Sequence, residues 1–282
     1  MKTPDGTPLE PVFDWYQYSS QVGLKDLLGV LEPFTSDNPL VSESPKLKGY
    51  GWALKTGGRG GSLLIHYGGR NGDEHGPNVA GTGSFSPKIA ELTRAANLPH
   101  GVGRADVRLD FLADFAECRL KFIERCNSAG MRSTDTGSCP ESTLQLGRTV
   151  YGGSKTSFYQ PTLYQKGLQL GDGHPVDYLR LEHRFAPSKS LEKSQLSSAS
   201  PLDMIGLRPV ARDLSESIAG LAASAYKLNR QPKELSPYHW MLVQYGKVFS
   251  QLLDDHGSPA AAGCQIYHDL AELAEDRYLK AF

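Results

Sequence analysis

Between Arg104 and Phe111 the chain alternates without a break between charged and apolar side chains. Arg104, Asp106, Arg108 and Asp110 fall on one parity, and Ala105, Val107, Leu109 and Phe111 on the other. Successive side chains of a strand point to opposite faces, so this segment fits a β-strand with one face on a core and one ionic face. A helix would scatter the same charges around its circumference. Leu179 to Phe185 repeats the pattern with Arg180, Glu182 and Arg184 on one face, and Thr162, Tyr164 and Lys166 share a polar face in the next such segment. Two accounts fit these faces: a solvated antiparallel sheet with cross-strand ion pairs, or a site in which carboxylates, guanidiniums, an ammonium and a phenol act together. Alternation does not say whether the strands are neighbours, and both accounts stay open.

The rest of the chain supplies the other elements. Phe13 to Tyr18 reads as a first strand, and Leu24, Leu27, Leu28 and Leu31 recur at helical spacing. Gly49 to Lys55 and Ser62 to Tyr67 read as strands joined by a hairpin across Thr56 to Gly61. That glycine run lacks a Gly-Lys-Ser/Thr ending and no helix follows it, which argues against a phosphate loop. Ser86-Pro87 caps and opens a helix carrying Ile89, Leu92 and Ala96. After the ionic strand, a helix runs to about Asn127 with Phe115, Cys118, Phe122 and Cys126 on its apolar stripe. Strands over Thr149 to Tyr151, Ser157 to Lys166 and Tyr178 to Phe185 complete the order β-α-β-β-α-β-α-β-β-β. The expectation is an α+β chain built on a largely antiparallel sheet with flanking helices.

Residues 10–187 form the expected sheet domain, the Ser- and Lys-rich stretch 188–200 a linker, and 201–282 a helical C-terminal region. Helices are expected over Asp213 to Tyr226, over Tyr238 to Leu253 with a packing face from Trp240 to Val248, and from Ser258-Pro259 onward. The break at His256-Gly257-Ser258-Pro259 suits a helical hairpin, or a DNA-binding helix pair.

Composition narrows the function classes. The 282 residues are 39% hydrophobic and 22% charged, as in a soluble globular protein. The formal net charge of −1 argues against a protein that coats nucleic acid, because non-specific affinity rests on neutralising phosphates. Cys118, Cys126, Cys139 and Cys264 form no Cys-x-x-Cys pair and read as reduced thiols, and no apolar run has the length of a membrane span. A cytoplasmic protein is expected.

The ionic segments carry a chemistry. Asp110 and Glu182 are hard oxygen donors of the kind that hold Mg²⁺ or Mn²⁺. A nearby tyrosine can attack phosphorus, and Lys166 and Arg180 can neutralise phosphate oxygens. Each residue also has a plainer reading. Tyr164 and Tyr159 would serve as strand aromatics, and Asp110 would cap the following helix. His183 would be a core residue, and Tyr151 to Lys155 a turn, whose bolder role is to hold DNA phosphate through its amides and Lys155.

Arg108-Leu109-Asp110-Phe111, Tyr151-Gly152-Gly153-Ser154-Lys155, Leu163-Tyr164-Gln165-Lys166-Gly167 and Arg180-Leu181-Glu182, in this order, resemble the motif series of the replication initiation factors. These are rolling-circle initiators of filamentous phages and staphylococcal-type plasmids. His75 to Gly83 resembles their pre-motif region, and the resemblance runs from Phe13 to Phe185. Gln165 stands where an acidic residue or Asn is frequent, Thr162 where Arg is common, and no His-x-His pair is present.

The resemblance implies a ferredoxin-like core of the initiator type and site-specific nicking of origin DNA with strand transfer through a 5′-phosphotyrosine. It implies Tyr164 as nucleophile with Tyr159 as fallback, Lys166 as catalytic partner, and Asp110, Glu182 and Asp106 as ligands of Mg²⁺ or Mn²⁺. Lys155, Arg180, Arg184 and Arg108 would contact DNA, with a host helicase and a second copy of the chain as further partners. Competing classes are a non-catalytic single-stranded nucleic-acid binder, a relaxase or transposase of related chemistry, and a scaffold without a nucleic-acid role.

Overall fold

The computed structural model describes residues 3–58, 60–69, 76–136, 147–228 and 250–279. The chain divides into Met1–Leu228 and Asn229–Phe282. His75, Cys139 and the expected helix face from Trp240 to Val248 lie outside the described residues.

The first unit runs β1 (Val12–Ser20), α1 (Leu24–Thr35), β2 (Val41–Glu43), β3 (Tyr50–Gly58), β4 (Gly61–Gly69), β5 (Asn78–Gly83), α2 (Phe85–Ala95), β6 (His100–Leu112) and α3 (Phe115–Ser128). It continues β7 (Ser133–Thr136), β8 (Thr149–Gly152), β9 (Tyr159–Gln165), α4 (Lys166–Leu170), β10 (Tyr178–Phe185), α5 (Ser190–Leu196), α6 (Pro201–Gly206) and α7 (Pro209–Ala219). In the second unit, α8 (Pro259–Leu279) follows the expected Ser258-Pro259 start. Among the described residues no helix is long and apolar enough to cross a membrane.

All the strands belong to one ten-stranded sheet in the order β2-β3-β4-β5-β1-β6-β10-β9-β8-β7, and each neighbouring pair is antiparallel. This is the α+β architecture expected from the element order. The central strand is β6, the segment of strict alternation. Its Ala105, Val107, Leu109 and Phe111 are fully buried, together with Leu163, Leu179, Leu181 and Phe185 of β9 and β10. Helices α3, α5, α6 and α7 pack on these strands, and α2 packs on β1, β4 and β5; Leu214, Ile218 and Phe122 complete the same core.

Several boundaries differ from the sequence reading. Strands β2, β5 and β7 were not expected. β5 is Asn-Val-Ala-Gly-Thr-Gly, whose glycines and small residues carry little alternation. Gly81 is there because α2 lies close: a Cβ would sit 3.3 Å from the Cα of Ser86 and 3.4 Å from Ile89. The cap of α2 is Ser84, not Ser86. Ser86 is buried inside the helix and donates to the carbonyl of Asp14 at 3.0 Å, tying α2 to β1.

The stretch 188–200 is not a linker. It contains α5, which packs on β6, and Leu196 and Ala199 are fully buried. Arg94 of α2 donates to the carbonyls of Ser197 and Ala199. The serines and lysines that suggested a linker are the outward side chains of a packed segment, so the sheet unit extends to Leu228. The helix expected over Asp213 to Tyr226 starts earlier, with Pro209 in its first turn, and stops at Gly220, which adopts φ 71° as a left-handed cap.

Candidate active site

Registers bring the three ionic segments together. Across β6 and β10, Asp110 pairs with Arg180, Arg108 with Glu182, and Asp106 with Arg184. Across β10 and β9, Arg180 pairs with Tyr164, Glu182 with Thr162, and Arg184 with Gln160. Directly paired residues share a face, so Asp106, Arg108, Asp110, Arg180, Glu182, Arg184 and Tyr164 all line the side opposite the core. A register shift between Phe13 and Trp15 adds Asp14 of β1 to this group.

The face is a network of alternating charge. Arg180, 5% exposed, grips Asp110 with two parallel bonds of 2.6 and 2.9 Å and reaches Asp14 at 3.0 Å. Arg108 bonds Asp14 at 2.7 Å and approaches Asp110 at 3.3 Å. Asp106, 3% exposed, takes both prongs of Arg104, and Arg184 lies 3.6 Å from it. Burial opposes the charge on Arg180, but its bonds to Asp110 and the neighbouring Tyr164 and Asp14 hold its pKa above the ordinary value. A buried guanidinium stays charged here because carboxylates match it almost atom for atom.

Glu182 is the exception. Among the described residues it has no hydrogen bond or ion pair, although Arg108 stands directly across from it. Burial, then the charges of Asp106 and Asp14, push its carboxyl up to about 7, with Arg180 and Arg184 countering in part. It is a carboxylate on a face where the cations are already taken.

Tyr164 sits at the end of β9, half-buried beside Arg180. Burial raises its phenol's pKa, Arg180 opposes the rise, and Glu182 and Asp14 add to it. Lys166 follows at the start of α4. Its ammonium lies 5.9 Å from the centre of the Tyr164 ring and donates to Gln169 at 2.8 Å. Burial and the nearby Arg180 lower the pKa of Lys166. The next residue, Gly167, has no room for a side chain: a Cβ would overlap the carbonyl of Pro175 and lie 3.2 Å from the Cβ of Tyr178. The glycine lets the loop before β10 close over the start of α4.

Other expected residues fall elsewhere. Tyr159 lies on the core face, 3% exposed, with its phenol bonded to His183 Nδ1 at 2.8 Å. His183 Nε2 in turn meets Ser215 of α7 at 3.0 Å. Tyr159 and Tyr164 are five strand steps apart, an odd number, so the two must face opposite ways. Tyr159 is therefore corrected from fallback nucleophile to core residue, and burial carries its pKa far above the ordinary value. Lys155 is exposed in the turn between β8 and β9, at the opposite end of β9 from Tyr164, and is not part of the cluster.

Asp110 does not cap the following helix. Asp114 does, accepting from the amide of Glu117 at 2.8 Å.

Two residues of the face escaped the sequence reading. Asp14 was hidden because the β-bulge breaks the alternation of β1. Tyr178 shares the parity of Arg180 and Glu182, and burial and Asp110 raise its pKa. Its signal was present in the alternation of β10, one step before the segment that was read.

The donor set for a divalent ion fits only in part. Asp110 and Asp106 each spend both oxygens on guanidiniums. Among the described residues no three acidic, histidine or cysteine side chains gather as a ready-made metal site. Glu182, unpaired and crowded by Asp106 and Asp14, is the donor whose chemistry suits a cation.

No family model matches this chain, and no curated protein does. Among solved structures, a rolling circle replication initiator protein from Geobacillus stearothermophilus matches with a TM-score of 0.54 and 16% identity, covering 79% of this chain and 100% of that one. The chain shares its fold with a rolling circle replication initiator.

Proposed function

We propose that this chain is a rolling-circle replication initiator that nicks one strand of origin DNA and transfers it through Tyr164. The observation that carries the reading is the juxtaposition of Tyr164, Arg180, Lys166 and the unpaired Glu182 on one face of the central strands. The Tyr164 hydroxyl gives its proton to a water molecule, and its oxygen attacks the scissile phosphorus. The new O–P bond forms as the bond to the 3′ oxygen breaks, and that oxygen leaves with the electron pair and takes up a proton. The 5′ phosphate stays on the tyrosine, and the free 3′-OH is available for synthesis. Arg180 lies where it can bind a phosphate oxygen and favour the phenolate, while Lys166 offers a second cation beside the ring.

Glu182, flanked by Asp106 and Asp14, would hold Mg²⁺ or Mn²⁺, which supplies polarisation of a phosphate oxygen during in-line displacement. Asp110 serves as the anchor that orients Arg180.

The test is incubation with supercoiled DNA carrying the element's origin, with Mn²⁺ or Mg²⁺, followed by denaturing electrophoresis. A covalent adduct is expected from the native chain, none with EDTA, and none from Tyr164→Phe. An adduct that survives Tyr164→Phe would move the nucleophile, first to Tyr178. A second reading, single-strand binding without chemistry, draws on Trp15, which lies on the same face with the Arg104 guanidinium 4.3 Å over its ring. Strand binding with no nick on a verified origin would favour it.

A further inference from the structure

An open cleft of about 420 Å³ lies at the far end of β9 from Tyr164. Tyr159 closes its inner end, and five strand steps of about 3.3 Å put it about 17 Å from the proposed nucleophile. Arg132, entering β7, and Arg208, at the N-cap position of α7, line it together with Thr134, Ser154, Ser157 and Phe158. The Arg208 guanidinium carbon lies 5.6 Å from the centre of the Phe158 ring. Among the described residues no acidic side chain lines the cleft. Among the described residues neither arginine has a carboxylate within ion-pair distance.

This sets the cleft apart from the ionic face, where Arg104, Arg108, Arg180 and Arg184 all reach carboxylates. The surroundings add to the imbalance. Arg119 of α3 and Arg148, just before β8, share the single carboxylate of Asp135 on β7, and Lys155 is exposed in the turn that contributes Ser154 and Ser157. In a chain with a formal net charge of −1, two unpaired guanidiniums converging with hydroxyls on an aromatic wall call for an anion. Guanidinium forks match phosphate oxygens, and hydroxyls complete the shell.

We propose that this cleft is a phosphate subsite, separate from the reaction centre, in which Arg132 and Arg208 bind one phosphate group. That phosphate comes either from the backbone of a bound single strand a few nucleotides from the nick, or from a free phosphate compound. The strand source rests on the function proposed above, and the free source does not.

The experiment compares the full chain, the double variant Arg132→Gln/Arg208→Gln, and Lys88→Gln, which removes an exposed charge from α2. Binding of a fluorescent oligothymidylate is measured by anisotropy over a range of salt. Inorganic pyrophosphate is titrated by amide NMR in parallel. With the strand as source, the double variant binds roughly tenfold more weakly, and its log–log salt slope falls by about 0.7 for the one phosphate lost. Lys88→Gln matches the native chain, and pyrophosphate shifts the amides of Thr134 and Ser154 in the native chain only.

If the native chain ignores the oligonucleotide yet pyrophosphate moves those amides, the subsite stands with a free phosphate compound as its ligand, and the nicking function is the reading that fails. If the double variant matches the native chain with both probes, the subsite is overturned, whatever Tyr164 does in the nicking assay.

Discussion

Replacing Glu182 with glutamine keeps the shape of the side chain and removes a charge that the folded state holds at a cost. In the fold its carboxyl is pushed from 4.5 to about 7. At about 1.36 kcal/mol for each pH unit, that difference corresponds to roughly 3 kcal/mol, or about 2 kcal/mol once partial access of water is allowed for. The sign follows from proton binding. Between pH 4.5 and about 7 the folded chain keeps a proton on Glu182 that the unfolded chain has released. Native stability therefore falls as pH rises through that window and levels off above it.

Glu182→Gln lacks this loss. At pH 8 it should exceed the native chain by about 2 kcal/mol, or roughly 4–8 °C in melting temperature for a unit of this size. At pH 4.5 the two should melt together. Thermal unfolding followed by circular dichroism across this range reads the difference directly. Adding Mn²⁺ at pH 8 should raise the melting temperature of the native chain and leave the variant unmoved, because only the native carboxylate can be stabilised by the ion. Parallel pH profiles, or a variant less stable at pH 8, would refute the claim that Glu182 is an uncompensated charge. A variant gaining stability while losing nicking would show a site maintained at the expense of the fold.

Tyr159→Phe removes the bond to buried His183 and should cost about 1 kcal/mol in urea unfolding while adduct formation persists; loss of the adduct at full stability would contradict its place in the core. Gly167→Ala forces a methyl group into the Pro175 carbonyl and should cost about 1–3 kcal/mol, with slower nicking as the loop before Tyr178 shifts. An unchanged melting temperature would mean the loop does not close there. Arg180→Leu strips Asp110 of its two-pronged partner and takes one cation from Asp14, for an expected loss of about 3 kcal/mol in the same unfolding assay. A neutral outcome would indicate that Arg108 alone can neutralise both carboxylates.

The centre of the fold was readable because a single parity rule governs it. Arg104 to Phe111 had to be a half-buried strand, and it is the middle of the sheet. The three polar segments were correctly assigned to one side each, but neighbourhood is a property of long-range pairing that no local pattern encodes. β5 was missed because Gly81 answers to the approach of α2 rather than to strand propensity. The false linker had the opposite cause: the exposed residues of α5 set its composition, while Leu196 and Ala199, which decide its fate, are two small votes among serines.

At the site, the alternation put Tyr164 and Glu182 each on a polar strand face, and the registers bring those two faces together. Tyr159 as fallback was not, because counting five steps along β9 would already have placed it inside. Asp14 needed the bulge to be seen. The division of labour among carboxylates, with Asp14, Asp106 and Asp110 locked to arginines and Glu182 free, depends on side-chain geometry alone.

The sheet also ends well. Its two outermost strands are short: β2 has three residues and β7 has four, Ser-Thr-Asp-Thr. A sheet of ten strands could present long rows of unsatisfied amides and carbonyls at either flank, ready to recruit another chain. The outermost strands themselves offer only a few residues, with Glu43 held by Lys46 and Lys55 on one side and Asp135 held by two arginines on the other. A strand added onto β2 or β7 would therefore find only a short row to pair with, beside charges already spoken for.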